Sequence, residues 1–216
     1  MSFLNQLKSQ AKTLQNERAA QDQQLGERVE QTEQACGLLL HYLQDLARTL
    51  SVLEPAGPAL TVDGKTPWPA MKLVDFRVDA RRKMLRDREV IDYIAMGWRI
   101  VPQAGGPVTG KVSVNFPTEM RKVEDRLAQG LVRHERREVR DPERNNVLQE
   151  VRYEYVAETR VSVTATPHHE QGQVHFRLLH TDGLEVAQVT IPSARIGHDL
   201  LDELAKRVLA QPSLFA

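Results

Sequence analysis

Gly105-Gly106-Pro107-Val108-Thr109-Gly110-Lys111 meets the first part of a phosphate-binding loop, G-x-x-x-x-G-K, in which backbone N–H groups cradle phosphates and the lysine reaches over them. The next residue is Val112, where such a loop needs a serine or threonine hydroxyl for Mg²⁺. A loop of this kind also leads into a helix whose N-terminus faces the phosphates, whereas the residues from Lys111 onward alternate like a strand. The segment therefore reads as a glycine-rich hairpin connection, with no nucleotide cofactor.

His168, His169, His175 and His180, with Glu170 and Asp182 nearby, have the donor types of a zinc site. Strand geometry disperses them. His168 and His169 fall in a turn after Pro167, and His175 and His180 point to opposite faces of one strand, so a solvated hairpin end is expected and no metal. His198 beside Asp199 is too common a pairing to mark a site, and no G-x-S-x-G nucleophile elbow occurs. Cys36, the single cysteine, sits at a helical core position where a thiol acts as a small hydrophobe rather than a nucleophile. No catalytic template is complete.

The remaining chemistry is basic. Arg81, Arg82 and Lys83, flanked by Arg77, Arg86 and Arg88, lie on one predicted hairpin, and Arg133, Arg136 and Arg137 lie on a later one with Arg140 and Arg144. Two adjacent hairpins so charged would track a phosphate backbone. Asp75, Asp79, Asp87, Glu89, Glu135, Glu138, Asp141 and Glu143 stand among them, however, and aromatic residues for stacking on bases are scarce. Over the chain of 216 residues, 29 Lys and Arg balance 29 Asp and Glu, so no global field draws it to nucleic acid or an anionic membrane. A lone cysteine, no secretory h-region and no apolar run of about 20 residues predict a soluble, cytoplasmic protein of bacterial type.

The elements that carry these residues divide near Pro55. Val29, Thr32, Cys36, Leu39, Leu43, Leu46, Leu50 and Leu53 recur in steps of three and four, the a/d seam of a coiled coil. Leu4, Leu7, Ala11 and Leu14 begin an earlier seam that turns polar at Arg18 and Gln21 before Leu25. A stutter there, with Gly26 inside it, predicts a kink or break. A helix over 2–53 would be about 75 Å long, too long for one small domain to cover. Residues 1–54 are accordingly expected to be an arm that binds a second copy of the chain or another protein; the alternative is two shorter helices packed against each other or on the sheet. Leu38, Leu40 and Ala47 widen the later stripe in a way that suits either arrangement.

Residues 55–71 read as a proline-rich linker in which Trp68 seals one end of the core. Residues 72–216 read as an antiparallel β domain of about seven strands, with helices near 118–129 and 194–210. Alternation from Val147 to Ala165 predicts one long, bent strand. Thr181-Asp182-Gly183 predicts a tight turn, and Ser193 a cap on the last helix. The fold class is α+β. The function expected is non-catalytic assembly or interaction through the arm. The alternatives are a ligand or enzymatic cavity bounded by Trp98, Tyr153, Tyr155 and Phe176, and nucleic-acid binding by the arginine hairpins.

Overall fold

Between Phe3 and Leu53 the chain has no proline and is rich in leucine, alanine, glutamine and charged residues, all good helix formers. The computed structural model, which describes residues 3–144, 147–181 and 183–215, shows that stretch as one helix, α1 (Phe3–Leu53). The side chains of residues 3–6, 9–11 and 144 lie outside the described set, as do Asn145, Asn146 and Asp182 of the two expected turns. Gly26 does not break α1, and at 1.5 Å per residue its 51 residues span about 77 Å. It ends where Glu54 adopts a left-handed φ of 41° and donates its N–H to Leu50 O at 3.0 Å, just before Pro55.

Two antiparallel sheets follow. The larger has the order β1 (Met71–Leu85), β2 (Arg88–Pro102), β6 (Thr159–His168), β7 (Gln173–Leu179), β8 (Val186–Pro192). The smaller has the order β3 (Thr109–Val114), β5 (Val147–Val156), β4 (His134–Asp141), with helix α2 (Pro117–Gln129) between β3 and β4. Because β2 and β6 are hydrogen-bonded neighbours, the larger sheet is an up-and-down meander into which the chain inserts the β3-α2-β4-β5 unit. Helix α3 (His198–Val208) closes the chain.

The expected single strand over 147–165 is instead two, β5 and β6, in different sheets. Its alternation passes through Ala157 and Glu158 without interruption, but the backbone partners change there. Val156 N–H donates to Arg133 O at 3.0 Å and Ala157 N–H to Val108 O at 2.8 Å, while the Thr159 hydroxyl reaches Gly130 O at 2.6 Å. The bend that so long a strand required is a change of sheet.

Alternation along the strands sends Met71, Leu73, Ile94, Met96, Trp98, Ile100, Val161, Val163, Ala165, Val174, Phe176 and Leu178 to one buried face of the larger sheet. The second half of α1 and helix α3 belong to the same core. Tyr42 Oη on α1 donates to Asp202 Oδ1 on α3 at 2.6 Å, which ties the two helices. The segment read as a linker is part of the body as well. Leu60, Val62 and Trp68 are buried, Gly57 N–H donates to Met71 O at 2.8 Å, and Trp68 stacks on Tyr155 with centroids 5.8 Å apart. The last helix starts later than residue 194, because a 3₁₀ turn over Ser193–Arg195 precedes it and Gly197 holds the cap position.

Candidate functional surfaces

The seam of α1 divides into two parts. Thr32, Ala35, Cys36, Leu39, Leu43, Ala47 and Leu50 are buried, whereas Val29 and Leu46 are half-buried and Leu53 is 64% exposed. From Thr32 to Leu50 is 50 − 32 = 18 residues, about five turns of a straight helix, so both ends of this stripe face the same way. The stripe lies on the larger sheet of its own chain. Cys36, Leu39, Leu43 and Leu50, expected as an oligomer or partner seam, are thus covered intramolecularly, and Leu53 lies past the covered stretch. A sheet accepts a stripe drifting at 3.6 residues per turn, where a supercoil holds 3.5, so Ala47 is buried in preference to Leu46.

Polar contacts fix the same stretch. Thr32 Oγ1 donates to Ser193 Oγ at 3.2 Å, and Ser193 Oγ donates to Gly172 O at 2.9 Å. Ser193 therefore anchors α1 rather than capping α3. Glu33 Oε2 accepts from Ile91 N–H at 3.0 Å and lies 3.2 Å from His169 Nε2. His169 is buried, not part of a solvated hairpin end, because the 3₁₀ turn over His169–Gln171 tucks its ring beside α1. Its burial holds the imidazole pKa below the usual value, against the opposing pull of Glu33.

The first half of α1 has a different environment. Every residue from 12 to 24 is exposed, and Leu7 and Leu14 are 45% and 55% exposed. The polar contacts that tie α1 to the larger sheet and its turns begin at Thr32 and Glu33. A length of about 25 residues, or roughly 37 Å, therefore runs ahead of the anchored stretch and carries Leu7 and Leu14 uncovered.

The basic residues do not form one patch. Arg81, Arg82 and Lys83 lie on β1 in the larger sheet, and Arg136 and Arg137 lie on β4 in the smaller one. Most are neutralised locally. Arg82 lies 3.8 Å from both Glu33 and Glu89, Lys83 lies 2.8 Å from Asp92, Arg136 lies 2.9 Å from Glu138, and Arg137 lies 3.0 Å from Glu135. On β4 each arginine meets the glutamate two residues away, on the same face of the strand. Arg133 precedes β4 and lines a hollow with Leu131 and Arg160.

Trp98, Tyr153, Tyr155 and Phe176 pack in the core, none more than 3% exposed. Tyr153 Oη donates to Glu124 Oε1 at 2.7 Å, and burial together with that carboxylate pushes the phenol up to about 12. Tyr153 and Tyr155 knit β5 to α2 and to the loop before β1, while Trp98 stacks on Phe76 and Phe176 meets Phe215 edge-on. Gly105 and Gly106 take the positive φ of a turn, and Gly110 and Lys111 are strand residues, so the loop does not lead into a helix. Among the described residues no three His, Cys, Asp or Glu side chains converge on a metal position, and no helix is long and apolar enough to cross a membrane. Comparison with known proteins finds no matching family model, curated protein or solved structure.

Proposed function

We propose that this chain is a non-catalytic assembly module whose projecting half of α1 pairs with the same half of a second copy in the antiparallel sense. The observation that carries the reading is the exposed helix ahead of Leu25, with Leu7 and Leu14 uncovered seven residues apart on a rod whose other half is buried on its own sheet. Isolated helix of this kind gains most of its stability from a covered apolar stripe.

Charge favours the antiparallel sense. Residues 3–14 carry Lys8 and Lys12 and no acid, a charge of +2, while residues 15–27 carry Glu17, Asp22 and Glu27 against Arg18, a charge of 1 − 3 = −2. Antiparallel overlap centred between Leu14 and Gln15 sets Lys12 opposite Glu17 and Lys8 within one residue of Asp22. A parallel pair would align like with like. The overlap also uses the free length without displacing the buried half. The balanced overall charge and the single buried thiol suit a reducing cytoplasm.

Light scattering on the intact chain is expected to give a dimer mass, and the double variant Leu7→Asp/Leu14→Asp a monomer. Oxidation of Leu14→Cys should cross-link the dimer, whereas Leu7→Cys should not, because antiparallel pairing holds position 7 of one copy about 22 Å from position 7 of the other. A monomeric mass for the intact chain at high concentration would sink the proposal, and cross-linking through Leu7→Cys would replace the antiparallel sense with the parallel one.

A further inference from the structure

The face of the larger sheet opposite the helices is uncovered, and a trough of about 680 Å³ crosses it over β1, β2 and β6. Arg77, Arg99 and Arg160 line it, with Asp75, Glu158 and Ser162. A second hollow of about 380 Å³ shares Leu131, Glu158 and Arg160 with it and adds Arg133. Four arginines thus face two carboxylates.

Three features distinguish this place from the charged surfaces elsewhere. Arg99 is fixed: its Nη1 donates to Asp75 at 2.7 Å, and its Nη2 and Nε donate to Glu158 at 2.7 Å and 3.1 Å, so both acids are spent on it. Arg160 lies directly opposite Arg99 across the β2–β6 ladder, and with Asp75 and Glu158 both bonded to Arg99 neither carboxylate is committed to Arg160. Among the described residues no hydrogen bond or ion pair engages the guanidinium of Arg77 or Arg160, or the hydroxyl of Ser162.

The backbone is shaped around the same spot. A β-bulge between Val74 and Arg77 places Asp75 at a left-handed φ of 59°, and Leu131, 65% exposed on the rim, has a φ of 48°. Gly97 lies between Arg77 and Ser162 in the ladder. It has no positive φ, and a Cβ there would meet nothing closer than Val161 O at 3.7 Å. Neither conformation nor packing calls for glycine at this position, and its effect is to keep the trough floor open. A glycine inside a strand marks a bulge or a close approach by a ligand, and here the bulge on β1 ends at Arg77, directly across from Gly97, so the two together leave the floor open.

We propose that this trough binds a small molecule through a phosphate monoester, with Arg77 and Arg160 as the ion-pairing donors, Ser162 as a neutral donor and Leu131 against the organic portion. Strand spacing puts the Cα atoms of Arg77 and Arg160 about 12 Å apart, within reach of one shared tetrahedral anion for two extended side chains. Donors arriving from separate strands suit a phosphate with three terminal oxygens better than a planar carboxylate, which one arginine fork satisfies. Two unpaired guanidinium groups match its two charges. The volume falls within the range of small-ligand sites.

The test is a titration of the full-length ¹⁵N-labelled protein with ribose 5-phosphate, ribose and inorganic phosphate in turn. Ribose 5-phosphate is expected to shift the amides of Gly97, Ser162 and Arg77 with a dissociation constant of about 1 mM or tighter, inorganic phosphate to shift the same amides more weakly, and ribose to leave them unmoved. Arg77→Gln and Arg160→Gln should each weaken binding at least about tenfold, and Gly97→Val should abolish it with the circular dichroism spectrum retained. Arg88→Gln on the same sheet is the control and should bind as the parent does. Absence of shifts at about 10 mM sugar phosphate, equal shifts with ribose, or unchanged affinity in both arginine variants would overturn the proposal. None of these outcomes depends on whether the chain dimerises.

Discussion

Glu33 Oε2 accepts the backbone N–H of Ile91 at 3.0 Å and lies 3.2 Å from His169 Nε2, so one carboxylate oxygen joins α1 to β2 and to the turn after β6. His169 is 3% exposed. Its ring is held neutral, because burial lowers the pKa below 6.5 by more than Glu33 raises it.

The sign of the pH dependence follows from that neutrality. An unfolded chain protonates this histidine near 6.5, whereas the folded chain resists until lower pH, so its contribution to stability is complete above 6.5 and is lost as pH falls through the window below it. Urea denaturation of the parent should show a smaller midpoint at pH 5.5 than at pH 7.5, and His169→Gln, which keeps an N–H donor but does not titrate, should show a smaller difference. Glu33→Ala leaves two buried donors unpaired and should cost about 2 kcal/mol at pH 7.5. An identical pH difference in the parent and His169→Gln would disprove the assignment.

The class of the fold and most of its elements are legible in the sequence, because period-two and helical patterns are local properties. Three relationships are not, and each depends on a partner far along the chain. The alternation from Val147 to Ala165 contains no turn residue, and the sheet change at Ala157 is imposed by carbonyls at Val108, Gly130 and Arg133. The stripe from Thr32 to Leu50 is too short to separate a 3.5 from a 3.6 repeat by inspection, so a sheet-bound helix resembles a coiled-coil strand. The clue was Thr32, a polar seam residue whose hydroxyl meets Ser193, 161 positions away. For the trough, the readable signal was Gly97 within an otherwise bulky apolar strand. The separation of the arginines between two sheets had no local signal.

Cys36 is fully buried, and burial with the nearby Glu33 charge pushes its thiol up to about 12. Only thiolate reacts rapidly with disulfide reagents. In native buffer, Ellman's reagent should react at least about a thousand-fold more slowly than with a free thiol, through opening of the α1–sheet contact. Rising urea should speed labelling in step with global unfolding. Rapid labelling of the native chain would show that the second half of α1 leaves the sheet freely.

Thr32, Ser193 and Gly172 O form a relay whose two ends are unequal. Ser193→Ala strips the Thr32 hydroxyl of its acceptor inside the core and should cost about 1–2 kcal/mol. Thr32→Val removes the donor with little change of shape and leaves Ser193 bonded to Gly172 O, so it should be nearly neutral. The double variant should be more stable than Ser193→Ala alone. Additive losses in thermal denaturation would mean that the two hydroxyls are not coupled.

Gly110 lies directly opposite Tyr155 in the β3–β5 ladder, and a Cβ at 110 would sit 2.3 Å from Tyr155 Cζ. The ring has little freedom to withdraw, since its other side stacks on the buried Trp68. Gly110→Ala should therefore displace the tyrosine from the tryptophan and destabilise the protein by about 2–3 kcal/mol, although alanine ordinarily suits a strand better than glycine. Tyr155→Leu alone loses aromatic packing, but in its presence Gly110→Ala should cost little, because the clashing ring is gone. The readouts are the urea midpoints of the four chains and the Trp68 fluorescence, isolated in a Trp98→Phe background. If Gly110→Ala is equally harmful in the parent and in the Tyr155→Leu background, the clash is with the backbone and the ring-over-glycine account fails.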